Sequence, residues 1–521
     1  MFPLLTLDFE TFYSDSYNLN SFPSYQEYIL SSQFKIHGLA VYYPDGKREF
    51  RRDADVLLHE LQSVYGNNLE NACIIMHNAM FDAAILKYKF NIIPPCIHDT
   101  MLMAKYLFGV DVKVSLKELA ERCHLPAKLD LEFSKGKREL TAAEFAELRT
   151  YAINDVVITR ELYDHIVPKI LPEELEIINH TVQCFLRDAI KINKELLQQA
   201  RHELCTQLIN ELGDMQPEEI SSDRQFAQLL SDALAKTNRT LAMKPGKNGM
   251  IPAISMDDPE MQNMLSDPDP LVSKLVKARL LVKSEAQLLS RINYLSGMAN
   301  LTGGTLPVFL KYHHAQTGRF AGGNGLNLQN LPVPGRSPVQ ILNDTAWKIR
   351  QSIHAPAGYF FVAVDASQIE ARVLAWLTKE EQLNSAFASG RDIYSEFASE
   401  VFKEPAGKPC DDSPAEQRKG LLRQIGKTAI LGLGYQMGVE RFAKQLKSSI
   451  ASSELCRSER ELAALAYKIV HSYRNQYRAI PGFWKKLEKE FRESVTRRNF
   501  RKLGRLVIAS DNRATWMTLP S

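Results

Sequence analysis

The sequence predicts an α/β protein of several domains, with a mixed α/β domain first and mostly helical segments after it. Its 521 residues are too many for one hydrophobic core, since compact domains cluster near ~100–200 residues. Residues 1–170 alternate short strand-like runs with helical patterns, whereas residues 172–300 are mostly helical. Hydrophobic residues make up 45% and charged residues 24%, which argues against a largely disordered or collagen-like chain.

The individual elements are bounded by changes in the hydrophobic period and by Gly and Pro. The sequence predicts strands at Leu4–Phe9, Ala72–His77 and Tyr359–Asp365, helices at 116–122 and 142–163, a Lys-, Gly- and Asn-rich interruption at 238–252, loops at 302–345 and helical patterns over 367–500.

Composition also bears on compartment and partners. The chain has no run of ~18 apolar residues, so we expect no membrane span and no membrane partner. Seven residues precede Asp8, and we expect neither a signal peptide nor a 5′-nuclease domain there.

The seven cysteines are widely spaced and odd in number, without a CxxC pair. We therefore expect no disulfide framework or zinc site, and a cytoplasmic location, in the host cell if the protein is viral.

Charge is distributed unevenly along the chain. Residues 1–170 contain 18 basic and 23 acidic side chains, and the remainder contains 46 and 38. A basic second part suits a polyanionic partner such as nucleic acid. An uneven solvated surface explains the same distribution equally well.

A first group of carboxylates begins with Asp8 and Glu10 at the end of an apolar strand. Residues i and i+2 share one face of a strand, so both carboxylates point the same way. An isolated pair of this kind is more often a solvated edge. Here Asp82 follows another apolar strand, and Tyr151 and Asp155 share one face of a predicted helix.

Four acids with a tyrosine in this order resemble the motifs of the proofreading 3′–5′ exonucleases. The resemblance implies a ribonuclease-H-like domain in which Asp8, Glu10, Asp82 and Asp155 hold two Mg²⁺ ions, with Mn²⁺ as a possible substitute. It also implies that Tyr151 positions the attacking water. Phe9 and Asn78 flank these motifs and are expected to pack against the terminal nucleotide. For Asp99 a helix N-cap is the better interpretation.

A second group follows the strand predicted to end at Asp365. The run Asp365-Ala-Ser-Gln-Ile-Glu370-Ala-Arg372 continues into a helix that Ser367 is placed to cap. This run resembles motif A of the family A DNA polymerases. The resemblance implies that Asp365 binds both catalytic metals, and that Gln368 and Glu370 contact the incoming dNTP.

The next motif repeats at every fourth residue. Arg423, Lys427, Leu431 and Tyr435 are predicted to lie along one face of a helix whose other residues are largely apolar. In the family this is the fingers helix. The resemblance implies that Arg423 and Lys427 neutralise the triphosphate, and that Tyr435 stacks near the template base and contacts Glu370.

Two positions depart from the family pattern. Leu431 stands where an aromatic residue is usual, and Gln436 stands in place of the glycine after the tyrosine. These departures put base stacking at Leu431 in doubt and predict a bacteriophage-type branch of the family.

Two further segments resemble parts of the same polymerases. The segments around Thr317-Gly318-Arg319 and Asn327–Pro332 are similar to the primer–template segment. This similarity implies that the DNA-binding residues are Arg319, Asn327, Gln329 and Asn330. The run Gly390–Tyr394 resembles the segment that contacts the dNTP β-phosphate, with Tyr394 where the family has histidine.

The resemblance implies a right-hand polymerase after the exonuclease domain, with thumb, partial palm and fingers. The expected divisions are 1–170 for the exonuclease domain, 171–300 for connecting and thumb helices, 301–380 for the partial palm, and 381–521 for the fingers and following helices.

One family motif is missing from the sequence. A second metal-binding Asp is carried in a His-Asp-Glu turn after the fingers helix, and no His-Asp-Glu occurs after Tyr435. Three interpretations remain open. The chain is one half of a split DNA polymerase that a second polypeptide completes, a truncated product that acts only as an exonuclease, or a non-catalytic subunit that binds primer–template DNA.

Overall fold

The computed structural model describes residues 2–246, 249–256, 258–315, 317–335, 337–450, 458–503, 506–510 and 515–518. The chain divides into two compact units, Met1–Phe361 and Val362–Ser521. In the part of the chain so described, none of the helices combines the length and the apolar character that crossing a membrane requires.

A five-stranded mixed sheet organises the start of the first unit, with the strand order β3-β2-β1-β4-β5. The central strand β1 pairs antiparallel with β2 and parallel with β4. Its side chains are mostly buried because both faces of the sheet are covered by helices. The strands are β1 Leu4–Thr11, β2 Ile36–Tyr42, β3 Arg48–Arg51, β4 Cys73–Met76 and β5 Ile97–Asp99.

Seven helices accompany this sheet. The longest, α6, begins with a capping box in which Thr141 and Glu144 satisfy each other's backbone N–H groups, and it packs on β1 and β2. The helices are α1 Tyr25–Leu30, α2 Ala54–Tyr65, α3 Ala79–Phe90, α4 Thr100–Phe108, α5 Leu116–Arg122, α6 Ala142–Ile166 and α7 Pro172–Leu186.

The rest of the first unit is mostly helical. The 32-residue helix α12 packs on α8, α9, α10 and α13, with an apolar core between them. The helices are α8 Lys194–Leu212, α9 Pro217–Ser221, α10 Asp223–Ala235, α11 Pro259–Met264, α12 Pro270–Leu301 and α13 Gln340–Gln351. The short strands are β6 Lys191–Ile192, β7 Met243–Gly246, β8 Gly249–Pro252, β9 Leu310–Lys311, β10 Ala321–Gly322 and β11 Ile353–His354.

The second unit has one helical core and a small antiparallel sheet. Helix α17 packs against α16, α18 and α19, which buries its apolar residues. The elements are α14 Ile369–Thr378, α15 Glu381–Ala388, α16 Ile393–Phe402, α17 Pro414–Leu433, α18 Val439–Ile450, α19 Glu459–Gln476, α20 Ala479–Arg497, β12 Phe500–Leu503, β13 Leu506–Ser510 and β14 Thr515–Thr518.

Most elements predicted from the sequence are confirmed. The strands at Leu4 and Cys73 and the helices at Leu116 and Ala142 begin within one residue of their predicted starts. The interruption predicted at 238–252 instead contains the antiparallel pair β7 and β8.

Two predictions around Asp365 are wrong. Residues 359–365 form no strand, and their side chains are exposed. A strand needs a hydrogen-bonded neighbour, and the described residues provide none for this segment. Ser367 does not cap α14 because Gln368, at φ 56°, occupies the N-cap position.

Candidate functional site

The first group of acids converges where β1 meets α6. Asp8 and Glu10 project from one face of β1, and Asp155 reaches them from α6. Their carboxylate oxygens lie within 4.8 Å of one another. The two β1 acids share this face because residues two apart on a strand point to the same side.

The remaining two predicted residues line the same cleft of about 770 Å³. Asp82 lies in the first turn of α3, and its Oδ1 accepts a hydrogen bond of 3.0 Å from the backbone N–H of Phe9. Tyr151 lies one turn before Asp155 on α6 and is buried. The structure therefore brings together all five residues that the exonuclease motifs single out.

Burial of these carboxyls shifts their proton affinity strongly. Burial raises the pKa of Asp8 to about 7, and the negative charge of Asp155 adds to this shift. Burial also raises the pKa of Glu10 well above its ordinary range, with further contributions from Asp8 and Asp155. Burial and the Asp155 carboxylate raise the pKa of Tyr151, so its hydroxyl stays protonated and able to donate a hydrogen bond.

Lys128 is a member of this site that the sequence analysis missed. It follows α5 in a loop, where nothing in the local sequence marks it. Its Nζ forms an ion pair with Asp155 Oδ2 and lies 4.7 Å from the centroid of the Tyr151 ring. The ammonium group opposes the upward pKa shifts of Asp8, Glu10 and Asp155.

The donor set fits a hard divalent cation. Asp8, Glu10 and Asp155 offer only oxygen ligands, which Mg²⁺ and Mn²⁺ prefer. Asp155 Oδ1 is buried, and the described structure gives it no hydrogen-bond partner. A cation bound between the carboxylates would reduce their mutual repulsion. It would also give the buried Asp155 oxygen a partner.

Two residues that flank the motifs, Asp99 and Phe9, have structural roles. Asp99 caps α4 by accepting from Met101 and Leu102, as expected, and it also accepts from the backbone of Asn78 at 3.1 Å. Phe9 was expected to face a nucleotide, but its ring is buried and stacks on Phe90 with centroids 5.8 Å apart. Phe9 alternates with Asp8 and Glu10 along β1, so its side chain takes the opposite face.

The second group of predicted residues surrounds a cleft of about 760 Å³ in the second unit. Its lining includes six of them, namely Asp365, Gln368, Glu370, Tyr394, Arg423 and Lys427. Asp365 and Glu370 are exposed, as is Lys427 on α17. Leu431, which replaces the usual aromatic residue, lines the same cleft.

Arg423 is held by a partner that the sequence analysis did not identify. Its Nε lies 2.6 Å from Asp392 Oδ2, and its guanidinium lies 5.5 Å from the centroid of the Tyr394 ring. Burial acts to raise the pKa of Asp392, but hydrogen bonds from Arg423 and Ser395 outweigh burial and the net shift is downward. Asp392 therefore stays ionised and fixes the guanidinium at the edge of the cleft.

Tyr435 departs from its predicted position. Helix α17 ends at Leu433, so Tyr435 lies beyond the helix that carries Arg423 and Lys427. Its side chain is 69% exposed and is not part of the cleft lining. Gln436 adopts φ 62°, a left-handed conformation that ends a helix.

The residues predicted to bind the primer–template lie in the first unit. Arg319 is exposed, and Gln329 and Asn330 are exposed in a short 3₁₀ helix. Asn327 caps this helix, and its side chain accepts a hydrogen bond of 3.0 Å from the backbone of Gln329. Asn327 therefore has a structural role in shaping the turn that presents the two exposed amides.

Two family models match the chain. The model for "DNA polymerase family A" matches residues 187–516, and the model for "3'-5' exonuclease" matches residues 40–171. The first match covers more than half of the chain. The chain therefore belongs to DNA polymerase family A and carries a 3′–5′ exonuclease domain before the polymerase domain, which confirms the predicted fold class. The exonuclease match includes Asp82, Tyr151 and Asp155 but begins after Asp8 and Glu10.

Curated relatives include three bacterial enzymes named DNA polymerase I. The one from Borreliella burgdorferi is 28% identical over 73% of this chain and 40% of the relative. The one from Treponema pallidum is 25% identical over 81% of this chain and 40% of the relative. The thermostable enzyme from Thermus aquaticus is 30% identical over 44% of this chain and 24% of the relative.

The chain spans about two fifths of the length of the Borreliella burgdorferi and Treponema pallidum enzymes. A solved structure, the POL domain of Pol1 from M. smegmatis in complex with DNA primer-template and dNTP, has a similar fold. The TM-score is 0.58 at 17% identity, covering 94% of this chain and 76% of that one. This likeness concerns the fold alone.

Proposed function

We propose that the first unit is a 3′–5′ exonuclease that removes nucleotides from DNA ends. The observation that carries this proposal is the buried cluster of Asp8, Glu10 and Asp155, whose oxygens lie within 4.8 Å of one another. Structural acids are seldom buried against one another, because their mutual repulsion costs stability unless a cation offsets it.

The residues have distinct roles in this proposal. Asp8, Glu10, Asp82 and Asp155 would hold two Mg²⁺ ions, with Mn²⁺ as an alternative, which supply charge stabilisation and lower the pKa of bound water. Tyr151 keeps its proton and would donate a hydrogen bond that orients the attacking water. The Phe9 N–H fixes the position of Asp82.

The test is digestion of single-stranded DNA by the purified chain. With Mg²⁺, an oligonucleotide labelled at its 5′ end should give a ladder of products shortened from the 3′ end, and chelation of the metal should stop the reaction. DNA that stays intact with Mg²⁺, or that is shortened from the 5′ end, would overturn the proposal.

We propose further that the chain is the main part of a DNA-templated DNA polymerase, with primer–template DNA and dNTPs as substrates. The second unit supports this by placing Arg423 and Lys427 at the cleft that Asp365 also lines. Two cations one helical turn apart suit a triphosphate. Gln368, Glu370 and Tyr394 line the same cleft and would complete the dNTP site, whereas Tyr435 lies outside its lining. The exposed Arg319, Gln329 and Asn330 would contact DNA, and Asn327 would hold the turn that presents the two amides.

We propose that a second polypeptide carrying His-Asp-Glu supplies the second metal-binding Asp of the polymerase site. The support is an apolar face on α14, where Ile369, Val373, Trp376 and Leu377 occupy positions i, i+4, i+7 and i+8. All four are exposed, Trp376 to 66%. A contiguous exposed apolar face of this kind is characteristic of protein–protein interfaces. The apolar segment 359–364 leads to Asp365 and is available for strand pairing.

The test compares primer extension by the chain alone and with an added polypeptide that carries the His-Asp-Glu turn of a family A palm. The chain alone should extend a primer poorly, and the mixture should incorporate templated dNTPs. A mixture whose added Asp is replaced by Ala should not. Efficient extension by the chain alone would mean that another acid fills the second metal-binding role.

Substitutions test whether the exposed apolar face of α14 is where the second polypeptide binds. Trp376→Glu should weaken the restored extension while exonuclease activity stays unchanged, because the exonuclease residues belong to the first unit. Tyr467→Glu on α19 replaces a similarly exposed aromatic residue, at 56%, and should leave extension intact. Equal effects of the two variants would count against the apolar face of α14 as the binding surface for the second polypeptide.

An exonuclease-only product is the second candidate function. The exposure of Asp365 outside any strand of the described structure favours it over the full polymerase, and the mixing experiment separates the two. A bacteriophage-type origin rests on Leu431 and Gln436 alone, while the relatives named above are bacterial. That origin and the cytoplasmic location stay predictions.

A further inference from the structure

Two cysteines and a histidine meet at one end of the exonuclease sheet, away from the acid cluster. Cys73 begins β4, Cys96 directly precedes β5, and His98 lies within β5. The parallel pairing of the strands sets Ile74 opposite Ile97, so Cys73 and Cys96 are neighbours in register. Their Sγ atoms are 2.7 Å apart, and Cys96 Sγ lies 3.9 Å from His98 Nε2.

Helix α6 connects this cluster with the acid cluster on the same face of the sheet. Asp155 on α6 faces the acids, and Tyr163, eight residues later, faces His98. Eight residues span ~12 Å along a helix axis. The cysteine cluster is therefore a separate site that takes no part in the chemistry proposed for the carboxylates.

Tyr163 fixes the orientation of the imidazole. Its hydroxyl lies 3.0 Å from His98 Nδ1, and the two rings stack with centroids 5.7 Å apart. With Nδ1 engaged, Nε2 is the nitrogen directed at Cys96. Histidines that bind a metal through one ring nitrogen almost always hydrogen-bond through the other, which sets the tautomer and the ring plane.

The cluster also has the burial and donor chemistry of a metal site. Cys73 is buried, whereas Cys96 and His98 are half-buried, so an ion has access from solvent. The two sulfurs and one ring nitrogen lie within 4.8 Å of one another. Zn²⁺ binds thiolates at ~2.3 Å and imidazole at ~2.0–2.1 Å, so the two sulfurs would move apart from their 2.7 Å separation to hold one ion.

We propose that Cys73, Cys96 and His98 form a Zn²⁺ site that ties β4 to β5 and has its fourth position open to solvent. Sulfur and nitrogen donors select a softer ion than the all-oxygen cluster at the other end of α6, so the two sites differ in metal preference. Binding releases the thiol protons and joins the strands that lead to Asp82 and Asp99. The expected role is stabilisation of the exonuclease domain.

The test uses the full chain, reduced and freed of metal, with Co²⁺ as a spectroscopic probe. One equivalent should produce a thiolate-to-cobalt charge-transfer absorption, which oxygen ligands do not give, and Zn²⁺ should abolish it. Cys96→Ser and His98→Gln should each lose most of this absorption. Tyr163→Phe should weaken affinity by about 10- to 100-fold, as loss of a hydrogen bond behind a ligand does.

Cys410→Ser is the matched control, since Cys410 is exposed and distant in sequence, and it should leave the absorption unchanged. Absence of the thiolate band in the native chain would overturn the proposal, as would a band that survives Cys96→Ser. A Cys73–Cys96 disulfide that persists in excess reductant would overturn it as well. The proposal stands independently of any DNA-processing activity, because its readout is metal binding.

Discussion

The two groups of acids differ in how the protein supports them. Asp8 and Glu10 lie on β1, which is paired on both edges, and Asp82 is held by a backbone hydrogen bond. Asp365 follows six exposed residues that belong to no strand of the described structure. The same residue type therefore sits on a rigid scaffold in one unit and on an unsupported segment in the other. Rigid support is what holds acids in place against their own repulsion.

The largest expected effect is on exonuclease activity, when one acid from each group is replaced in turn. Asp8→Ala should lower exonuclease activity by roughly 10³-fold or more, since the loss of several kcal/mol of electrostatic stabilisation is involved. Asp365→Ala should leave exonuclease activity unchanged. Digestion of a 3′-labelled oligonucleotide measures both variants.

Asp45→Ala is the control for the first variant, because Asp45 is an exposed acid in a turn of the same domain. Retention of exonuclease activity by Asp8→Ala would break the comparison, since the supported acids would then have no catalytic role.

Tyr151→Phe should have a smaller effect. The variant keeps the ring and removes the hydroxyl that orients water, and positioning groups of this kind contribute ~10²–10⁴-fold. We expect kcat to fall with little change in DNA affinity. Tyr65→Phe on α2 is the control, because Tyr65 does not line the acid cleft, and single-turnover digestion distinguishes the two variants. Equal losses in both variants would indicate a general packing effect in the domain.

Lys128→Met should move the pH dependence of the exonuclease to higher pH. The ammonium group opposes the raised pKa values of Asp8, Glu10 and Asp155, so its removal raises them further. At pH 7 a larger share of the carboxyls is then protonated, and activity should fall roughly tenfold for each unit by which the profile moves. Activity should recover at higher pH.

Lys137→Met is the control for this charge, because Lys137 pairs with Glu144 instead of with the cluster. A profile that moves equally in both variants would show that overall charge, not the contact with Asp155, sets the pH dependence.

The smallest effect concerns stability without metal. The folded pKa of Asp8, about 7, exceeds its ordinary value of 3.8, so the folded protein holds a proton that the unfolded chain releases between these values. The resulting contribution to stability is present below pH ~4 and is lost as the pH rises through 7. Asp8→Asn should therefore raise Tm at pH 8 in a chelator, by roughly 2–4 °C for each kcal/mol.

At pH 4 the same variant should have little effect on Tm, because the native carboxyl is then protonated as well. Added Mg²⁺ should stabilise the native chain more than Asp8→Asn. Thermal unfolding at the two pH values, with and without Mg²⁺, measures these differences. A variant that is less stable than the native chain at pH 8 would contradict the direction of the pKa shift.

Local patterns predicted which residues meet in the acid cluster of the first unit. The alternation along β1 and the four-residue spacing of Tyr151 and Asp155 are properties of single elements, which the sequence states directly. Lys128 and the Cys73–Cys96 contact could not be found in this way. They depend on pairing between segments that are distant in sequence, and nothing near them marks the contact.

The second unit shows a different limit of local patterns. The composition of residues 359–365 favours a strand, but a strand forms only where a neighbour accepts its hydrogen bonds. The spacing from Arg423 to Tyr435 favours one continuous helix, yet Gly432, Gly434 and the left-handed Gln436 end it early. In the first case the surrounding chain overrides the local preference, whereas in the second case the glycines within the segment outweigh the regular spacing.

The segment Tyr359-Phe-Phe-Val-Ala-Val364 also has a consequence for colloidal behaviour. It contains six successive apolar residues without charge or proline, and Phe360 and Val364 are exposed to 82% and 90%. Such a segment is a template for cross-β stacking between copies of the chain. The isolated chain should therefore self-associate with rising concentration, and a charged residue in place of Val362 should keep it dispersed.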